Sequence, residues 1–413
     1  MGTVRRIDDN RGVAVRRYQH GESVRSIATS LGRSRWWVYK WLARAATGGP
    51  AWATDRSRRP HASPHALPAD VVEAVCLVRL EPYNAGLLCG SQNIRWRLED
   101  LAVTPLPSVR TITRILAREE LTHRRTGRYA PKGAPYPALP AEWPNQVHQI
   151  DYVGPCYLQG PVRFWSLHAV DVATVRCAVE PVASRGGQAT VDAVWATWHR
   201  LGLPTHVQAD DELVSYGSPA HPRGMGLLIR LCLGRGIEPW FIPFREPWRN
   251  GVVERFNTHF RSKFLAWIQV PDFPGLRSAS LAFEARHNSR YRYTRLHGQT
   301  PCAALDAQQH SLRFPAQEAP PTLPLPKPEA GRYHVVRFIR SDRRLDVFGE
   351  RFLVPLEAQY TYVVGTVDVA RQRLTVTLAR DLIAEWPYPL RCRPLRECWR
   401  CRGPMSCHRC PGL

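Results

Sequence analysis

Apolar positions in the first part of the chain repeat at helical spacing. Within residues 11–45, Ile27, Leu31, Val38, Trp41 and Leu42 share one face, Gly32 falls between two short helices, and Ser34 stands where it can cap the second. Ala28 is small where the helices would cross, so the pattern predicts a helix-turn-helix in a domain of residues 1–60. Residues 61–123 predict a second helical, helix-turn-helix-like domain, in which Ser108 caps a helix that turns Ile112, Ile115 and Leu116 inward. From residue 146 the period shortens to two. "QVHQIDYVG" (146–154), "VRFWSLHAVDV" (162–172) and "TVRCAVEPV" (174–182) predict three strands. An amphipathic helix over 187–202 follows, with Val191, Val194, Trp195 and Trp198 on one face. A strand at 204–210, a buried helix at 224–236, a strand at 237–243 and a helix at 250–267 complete the segment, the last opened by an Asn-Gly turn.

Three strands, helix, strand, helix, strand, helix, with acids at strand ends, is the order of an α/β RNase H-like catalytic core, here residues 146–312 with a helical extension. Two stretches, 124–145 with five prolines and 313–330 with six, predict extended linkers on either side of it. Residues 331–390 alternate at period two around turns at "SDRR", "FGE" and "DVARQR", which predicts a small C-terminal SH3-like β-barrel. Residues 391–413 form a Cys-rich tail. The expected fold class is therefore multidomain: α-helical at the N-terminus, α/β in the core, all-β near the end.

Charge changes what these domains are for. A chain of 413 residues with a net charge of +22 calls for a polyanionic partner, nucleic acid before an anionic membrane, and the helix-turn-helix pattern makes that partner double-stranded DNA. Residues 1–60 alone hold thirteen Arg and Lys against four Asp and Glu. Arg33, Arg35 and Lys40 on the first helix-turn-helix, and Arg110 and Arg114 on the second, are placed to meet DNA. A basic helical hairpin packed on its neighbour would show the same composition. Arg337, Arg340, Arg343 and Arg344 could touch DNA backbone or form a solvated face. No apolar run is long enough for a membrane span and no signal-peptide pattern opens the chain, so a cytoplasmic, nucleoid-associated bacterial protein is expected. Six cysteines from Cys76 to Cys302 read as reduced core residues. Cys392, Cys398, Cys401, Cys407 and Cys410 crowd the tail; four thiolates could take zinc, but a disordered or frame-altered tail gives the same pattern.

Three acids stand out in the core. Asp151 lies in the first strand, Asp210 ends the fourth, and Glu254 falls on the first turns of the last helix. Val253, Phe256, Phe260 and Phe264 make that helix's core face, and Glu254 lies off it with Arg261 two turns on. Carboxylates forced together repel, so three of them make chemical sense around a divalent cation. Oxygen-only ligands favour Mg2+ or Mn2+, and two such ions can serve in-line displacement at phosphorus. A solvated glutamate paired with a nearby arginine is the plainer reading of Glu254 taken alone. Asp211 follows Asp210 directly, so the second ligand could slip by one; with Val207 facing the core, alternation sets Asp210 on the side of Gln208.

"HQIDYVGP", "QAD" and "NGVVERFN", in that order, resemble the catalytic core of retroviral integrases and of DDE transposases of bacterial insertion sequences. The resemblance covers about residues 11–388. It implies that Asp151, Asp210 and Glu254 are the catalytic, metal-binding acids, that Arg261 lies on the DNA side, and that Asp171 is structural. It further implies metal-dependent strand cleavage and strand transfer on DNA during transposition, by a homo-oligomer that holds both element ends. "FEARHNSRYRYTRLHGQTP" (283–301) resembles the segment that follows the core in bacterial members. Two departures are visible: "ADDE" replaces the Asn-Gly that usually follows the second acid, and the 43 residues between Asp210 and Glu254 exceed the usual spacing. A DNA-binding regulator with an inactive integrase-like core, and a stand-alone nuclease, are the alternatives.

One expectation follows from charge alone. A fragment of residues 1–122 binds element-end duplexes more tightly than random ones. Its affinity falls roughly 10³-fold between about 50 and 200 mM salt, as phosphate neutralisation requires. Equal binding to end and random DNA at every salt concentration, read by gel shift, would place the specificity elsewhere.

Overall fold

The structure is a computed structural model that describes residues 9–49, 52–55, 67–122, 135–158, 162–210, 223–244 and 246–390. It divides into two compact units, Met1–Leu67 and Pro68–Leu413. The tail cysteines, and the Asp211 alternative, lie outside the described residues.

The first unit has three helices: α1 (Asp9–Gln19), α2 (Val24–Ser30) and α3 (Arg35–Ala46). Ala14, Ile27, Ala28 and Val38 form its centre. The Ser23 and Ser34 hydroxyls accept from Ser26 N and Trp37 N, so each helix of the turn motif opens on a side-chain cap. Gly32 sits at φ +61°, a left-handed turn that a side chain would strain. Trp41 is 1% exposed, with the Arg11 and Arg44 guanidinium groups 4.1 and 4.7 Å from its ring centre. Sequence periodicity predicts α2 and α3; α1 is the further helix that closes the unit.

The second unit begins with α4 (Ala69–Asn84), α5 (Ser91–Asp100) and α6 (Val109–Arg118). Ser108 caps α6, and Ile112, Ile115 and Leu116 are buried as expected. These helices do not stand alone. Asn93 Nδ2 donates to Arg292 O at 3.0 Å, Tyr291 Oη to Gly86 O at 2.5 Å, and Arg292 pairs with Asp100 at 2.7 Å.

Next come β1 (Val147–Tyr157), β2 (Arg163–Asp171), β3 (Cys177–Val182), α7 (Gly187–Leu201), β4 (His206–Ala209), α8 (Leu227–Leu233) and β5 (Glu238–Phe241). A 3-10 turn (Pro247–Asn250), α9 (Gly251–Phe260), a π-turn (Arg261–Leu265), α10 (Phe273–Arg290) and α11 (Pro301–Asp306) follow. β1, β2 and β3 pair antiparallel, while β4 and β5 run parallel to β1. The order β5-β4-β1-β2-β3 is that of the expected RNase H-like core. Its sheet is covered on one face by α7 and α8, around Trp195, Trp198 and Ile229, and on the other by α9 and α10, around Phe256, Phe260 and Phe283. At the β3 edge, Val179 N donates to Glu284 Oε2 (2.8 Å) and Cys177 N to Asn288 Oδ1 (2.9 Å), so α10 satisfies an edge that would otherwise be open.

The last strands are β6 (Arg332–Phe338), β7 (Arg344–Val347), β8 (Glu350–Leu353), β9 (Tyr362–Asp368), β10 (Arg373–Leu378) and β11 (Asp381–Pro387). Here the picture differs from a separate barrel. β6 pairs in parallel with β5, at Trp240↔His334 and Phe241↔Val335, and the described strands form one nine-stranded sheet in the order β11-β10-β9-β6-β5-β4-β1-β2-β3. β7 and β8 form a hairpin of their own. One apolar core runs from Val191 to Val376 across both segments.

The described parts of the Pro-rich stretches, 135–145 and 313–330, are extended but bound. Tyr136 packs on Tyr362 with ring centres 5.3 Å apart. In the second stretch Leu203 N donates to Arg313 O (2.7 Å), Leu323 N donates to Gln188 Oε1 (2.9 Å), Arg230 Nη1 donates to Leu325 O (3.1 Å), and Leu325 is 6% exposed in the core. Prolines supply extended backbone, while the leucines between them supply the grip. Leu325→Ala should therefore destabilise the protein by about 2–4 kcal/mol. A loss below about 0.5 kcal/mol in urea denaturation would mean that the segment is a free linker.

Candidate active site

The centre of the site is a register. β1 and β4 pair at Val147↔His206, His148↔Val207 and Gln149↔Gln208. Two residues beyond the last of these pairs stand Asp151 and Asp210, side by side. Ile150, Val207 and Ala209 fill the α7–α8 side, so Gln149, Asp151 and Gln208 look towards α9.

Three side-chain amides hold α9 there. Gln149 Oε1 accepts from Val252 N (2.9 Å) and Val253 N (3.1 Å), two of the helix's open N-terminal donors. Gln208 Nε2 donates to Arg249 O (3.0 Å) and Asn250 Oδ1 (3.2 Å), and Asn250 Nδ2 donates to Ile150 O (3.1 Å). All three amides are buried. The Asn-Gly pair works differently from a left-handed turn: Gly251 has φ −62°, and a Cβ there would meet nothing within 4 Å. The amide of Asn250 is the part the fold uses. The Arg249 guanidinium lies 4.1 Å from the Tyr136 ring centre and pairs with Glu246 at 3.0 Å, which fixes the turn from outside.

On this base Glu254 sits in the first turn of α9, with Val253, Phe256, Phe260 and Phe264 buried as the spacing implied. The three acids feel one another. Burial, then repulsion from Asp210 and Glu254, pushes the Asp151 carboxyl up to about 7. Burial raises Glu254 as well; Arg261 pulls it down and Asp210 adds to the rise. Asn257 Nδ2 donates to Asp151 Oδ2 at 2.6 Å, and Asn257 Oδ1 is 2.7 Å from His168 Nδ1. That oxygen can only accept, so His168 carries its proton on Nδ1, and its Nε2 accepts from Ser166 Oγ at 3.0 Å. Burial keeps the ring neutral, with its pKa pushed down to about 4. A chain of donors from Ser166 through His168 and Asn257 thus ends on the Asp151 carboxylate.

Carboxylate oxygen is the only donor type that the three acids offer, and this suits Mg2+ or Mn2+. Among the described residues no three His, Cys, Asp or Glu side chains are gathered closely enough to hold a metal ion as they stand. Asp171 serves the fold instead. It is buried and accepts from Asn145 N (3.1 Å), Thr174 N (3.0 Å) and the Thr174 hydroxyl, which closes the β2–β3 connection.

The expected DNA contacts fall into separate places. Arg33 and Arg35 are exposed on the first unit, and Lys40 is half-buried, 5.6 Å from the Trp36 ring centre. Arg110 and Arg114 are exposed on α6, and Arg261 is exposed beyond Glu254. Arg337 is structural, donating to Asp346 O at 3.1 Å and Val336 O at 2.9 Å. Sequence reading passed over Gln149, Gln208, His168 and Asn257. Asn257 had one available signal, its place three residues after Glu254 on the same helix.

The fold is an N-terminal helix-turn-helix region followed by a central mixed sheet with helices on both faces. The family model for the winged helix-turn helix matches residues 11–73. Solved structures similar to this chain include the HTLV-2 integrase catalytic core domain in complex with magnesium, in its dimeric form. That match has 18% identity and a TM-score of 0.30, and covers 40% of this chain and 97% of that one. Another is the simian T-cell lymphotropic virus intasome in complex with PP2A regulatory subunit B56 gamma, at 14% identity and TM-score 0.35 over 76% and 96%. Superpositions this loose carry no argument about chemistry, which rests on the chain's own residues. No helix among the described residues is long and apolar enough to cross a membrane.

The raised Asp151 carboxyl has a thermodynamic signature. Its pKa is about 7 folded against an ordinary 3.8, so the folded state holds the proton more tightly. Stability is undiminished below about pH 4 and is lost as pH rises towards 7. Without added metal, Asp151→Asn should therefore stabilise the protein by about 1–3 kcal/mol at pH 8 and by close to nothing at about pH 3. A pH-independent difference in melting temperature would show that Asp151 lacks the raised carboxyl that its burial and the neighbouring acids imply.

Proposed function

We propose that the protein is a DDE polynucleotidyl transferase: a transposase or integrase that cleaves DNA strands and joins the freed 3′-hydroxyl to target DNA. The observation that carries this reading is that Asp151, Asp210 and Glu254, from three separate elements, lie within electrostatic reach of one another, burial first and their repulsion second raising the Asp151 carboxyl to about 7. A fold that keeps such repulsion gains from it only where a cation is to be received. We assign the metal ligands to Asp151, Asp210 and Glu254, and the cofactor to Mg2+ or Mn2+, two ions per site. When bound, the ions would neutralise the acids and polarise the attacking and leaving oxygens of an in-line displacement.

The chain's own residues supply the rest. Asn257 fixes one Asp151 oxygen, so the carboxylate presents a set direction to the site. The amide clamp holds Glu254 opposite the two aspartates. Arg261, exposed beyond Glu254, meets a DNA phosphate and keeps the backbone beside the acids. In the first step water attacks a phosphodiester and the 3′-oxygen leaves, taking up a proton as the free hydroxyl. In the second step that hydroxyl attacks a target phosphodiester, displacing a target 3′-oxygen. Neither step needs a covalent protein intermediate. The first unit and α6 bind element ends through Arg33, Arg35, Lys40, Arg110 and Arg114, and a homo-oligomer on DNA brings two ends together.

Asp151→Asn, Asp210→Asn and Glu254→Gln should each abolish cleavage and joining while end binding in a gel shift stays within about twofold, since docking does not need the carboxylates. Mn2+ should raise the melting temperature of the wild type and leave Asp151→Asn unmoved. Cleavage retained by any one variant removes that residue from the triad; a wild type that binds ends but never cleaves supports the regulator instead.

A further inference from the structure

The face of α3 opposite its core carries two large aromatic side chains. Val38 and Trp41 point into the unit, whereas Trp36 is 70% exposed and Tyr39 59% exposed. Positions 36, 39, 40 and 43 form one stripe at helical spacing. Leaving so much aromatic surface in water, on a helix whose neighbours on that face are charged, wastes burial that polar residues would not forgo. Lys40 hangs over the Trp36 ring at 5.6 Å and Arg33 over Trp37 at 5.5 Å, so the stripe is apolar in the middle and cationic along its border. A cationic border matches a polyanion with an apolar feature inside it.

The major groove of DNA has one such feature. Base edges there are hydrogen-bond donors and acceptors, except for the C5-methyl group of thymine. We propose that Trp36 and Tyr39 form a thymine-reading surface: in the groove the two rings bury thymine methyl groups, while Arg33, Arg35 and Lys40 hold the flanking phosphates. This rests on the DNA-binding reading given above and adds to it the base that the first unit selects. Trp36, at the second position of α3, is at the end of the helix that meets base edges in helix-turn-helix docking.

The test uses the full-length chain and a pool of random-sequence duplexes, enriched by binding at physiological salt and sequenced. Each thymine of the enriched site is then replaced by deoxyuridine, which removes the methyl group and nothing else. Burying one methyl is worth about 0.8 kcal/mol, so at least one replacement should weaken wild-type binding about fourfold. Trp36→Ala or Tyr39→Ala should bind the site more weakly and lose that sensitivity, and Trp36→Phe should keep it; circular dichroism confirms that these exposed positions leave the fold intact. The proposal falls if no thymine position responds, or if the response survives in both alanine variants. Failure to enrich any site would overturn the DNA-binding reading itself, and this inference with it.

Discussion

Everything in the core depends on a few buried amide groups that join a helix to a sheet. Gln149 and Gln208 come from adjacent parallel strands, and Asn250 from the turn before α9. Between them they satisfy two helix-end donors, two backbone carbonyls and one another's side chains. Buried polar groups are costly unless paired, and once paired they allow a single docking geometry. An apolar contact would let α9 slide or rotate; this one does not. Glu254 is therefore held at a fixed depth within electrostatic reach of Asp151 and Asp210, and the clamp bears the repulsion among them.

Much of this was legible in the sequence because much of it is local. Serine caps at Ser34 and Ser108, the inward residues of α6, and the apolar face of α9 all follow from spacings of three and four. The order of strands and helices in the core followed from changes of period. What stayed hidden is non-local. A glutamine in a strand looks the same whether it faces water or, like Gln208, a helix terminus forty residues on. Asn257 reads as one more polar helix residue until β1 and β2 are folded beneath it. His168, in an apolar strand, gives no sign of its link to Asp151 through Asn257.

The same limit explains the C-terminal third. Period-two alternation identified strands and turns between 331 and 390, but it cannot say which edge a strand will find. The β5–β6 pairing turned an expected separate module into an extension of the central sheet. Proline content likewise predicts an extended chain and is silent on what that chain lies against; Leu325 decided the matter by entering the core.

That pairing also sets an order of events during synthesis. All three acids have emerged by residue 254, yet the strand that covers the β5 edge begins at Arg332. Until those later residues leave the ribosome, β5 presents bare backbone donors and acceptors beside the apolar Trp240 and Phe241, the kind of edge that recruits other strands. A message cut short or shifted in frame between these points encodes every acidic residue of the site on a chain prone to aggregate. Loss of the distal strands would thus remove the protein from solution with its three acids intact.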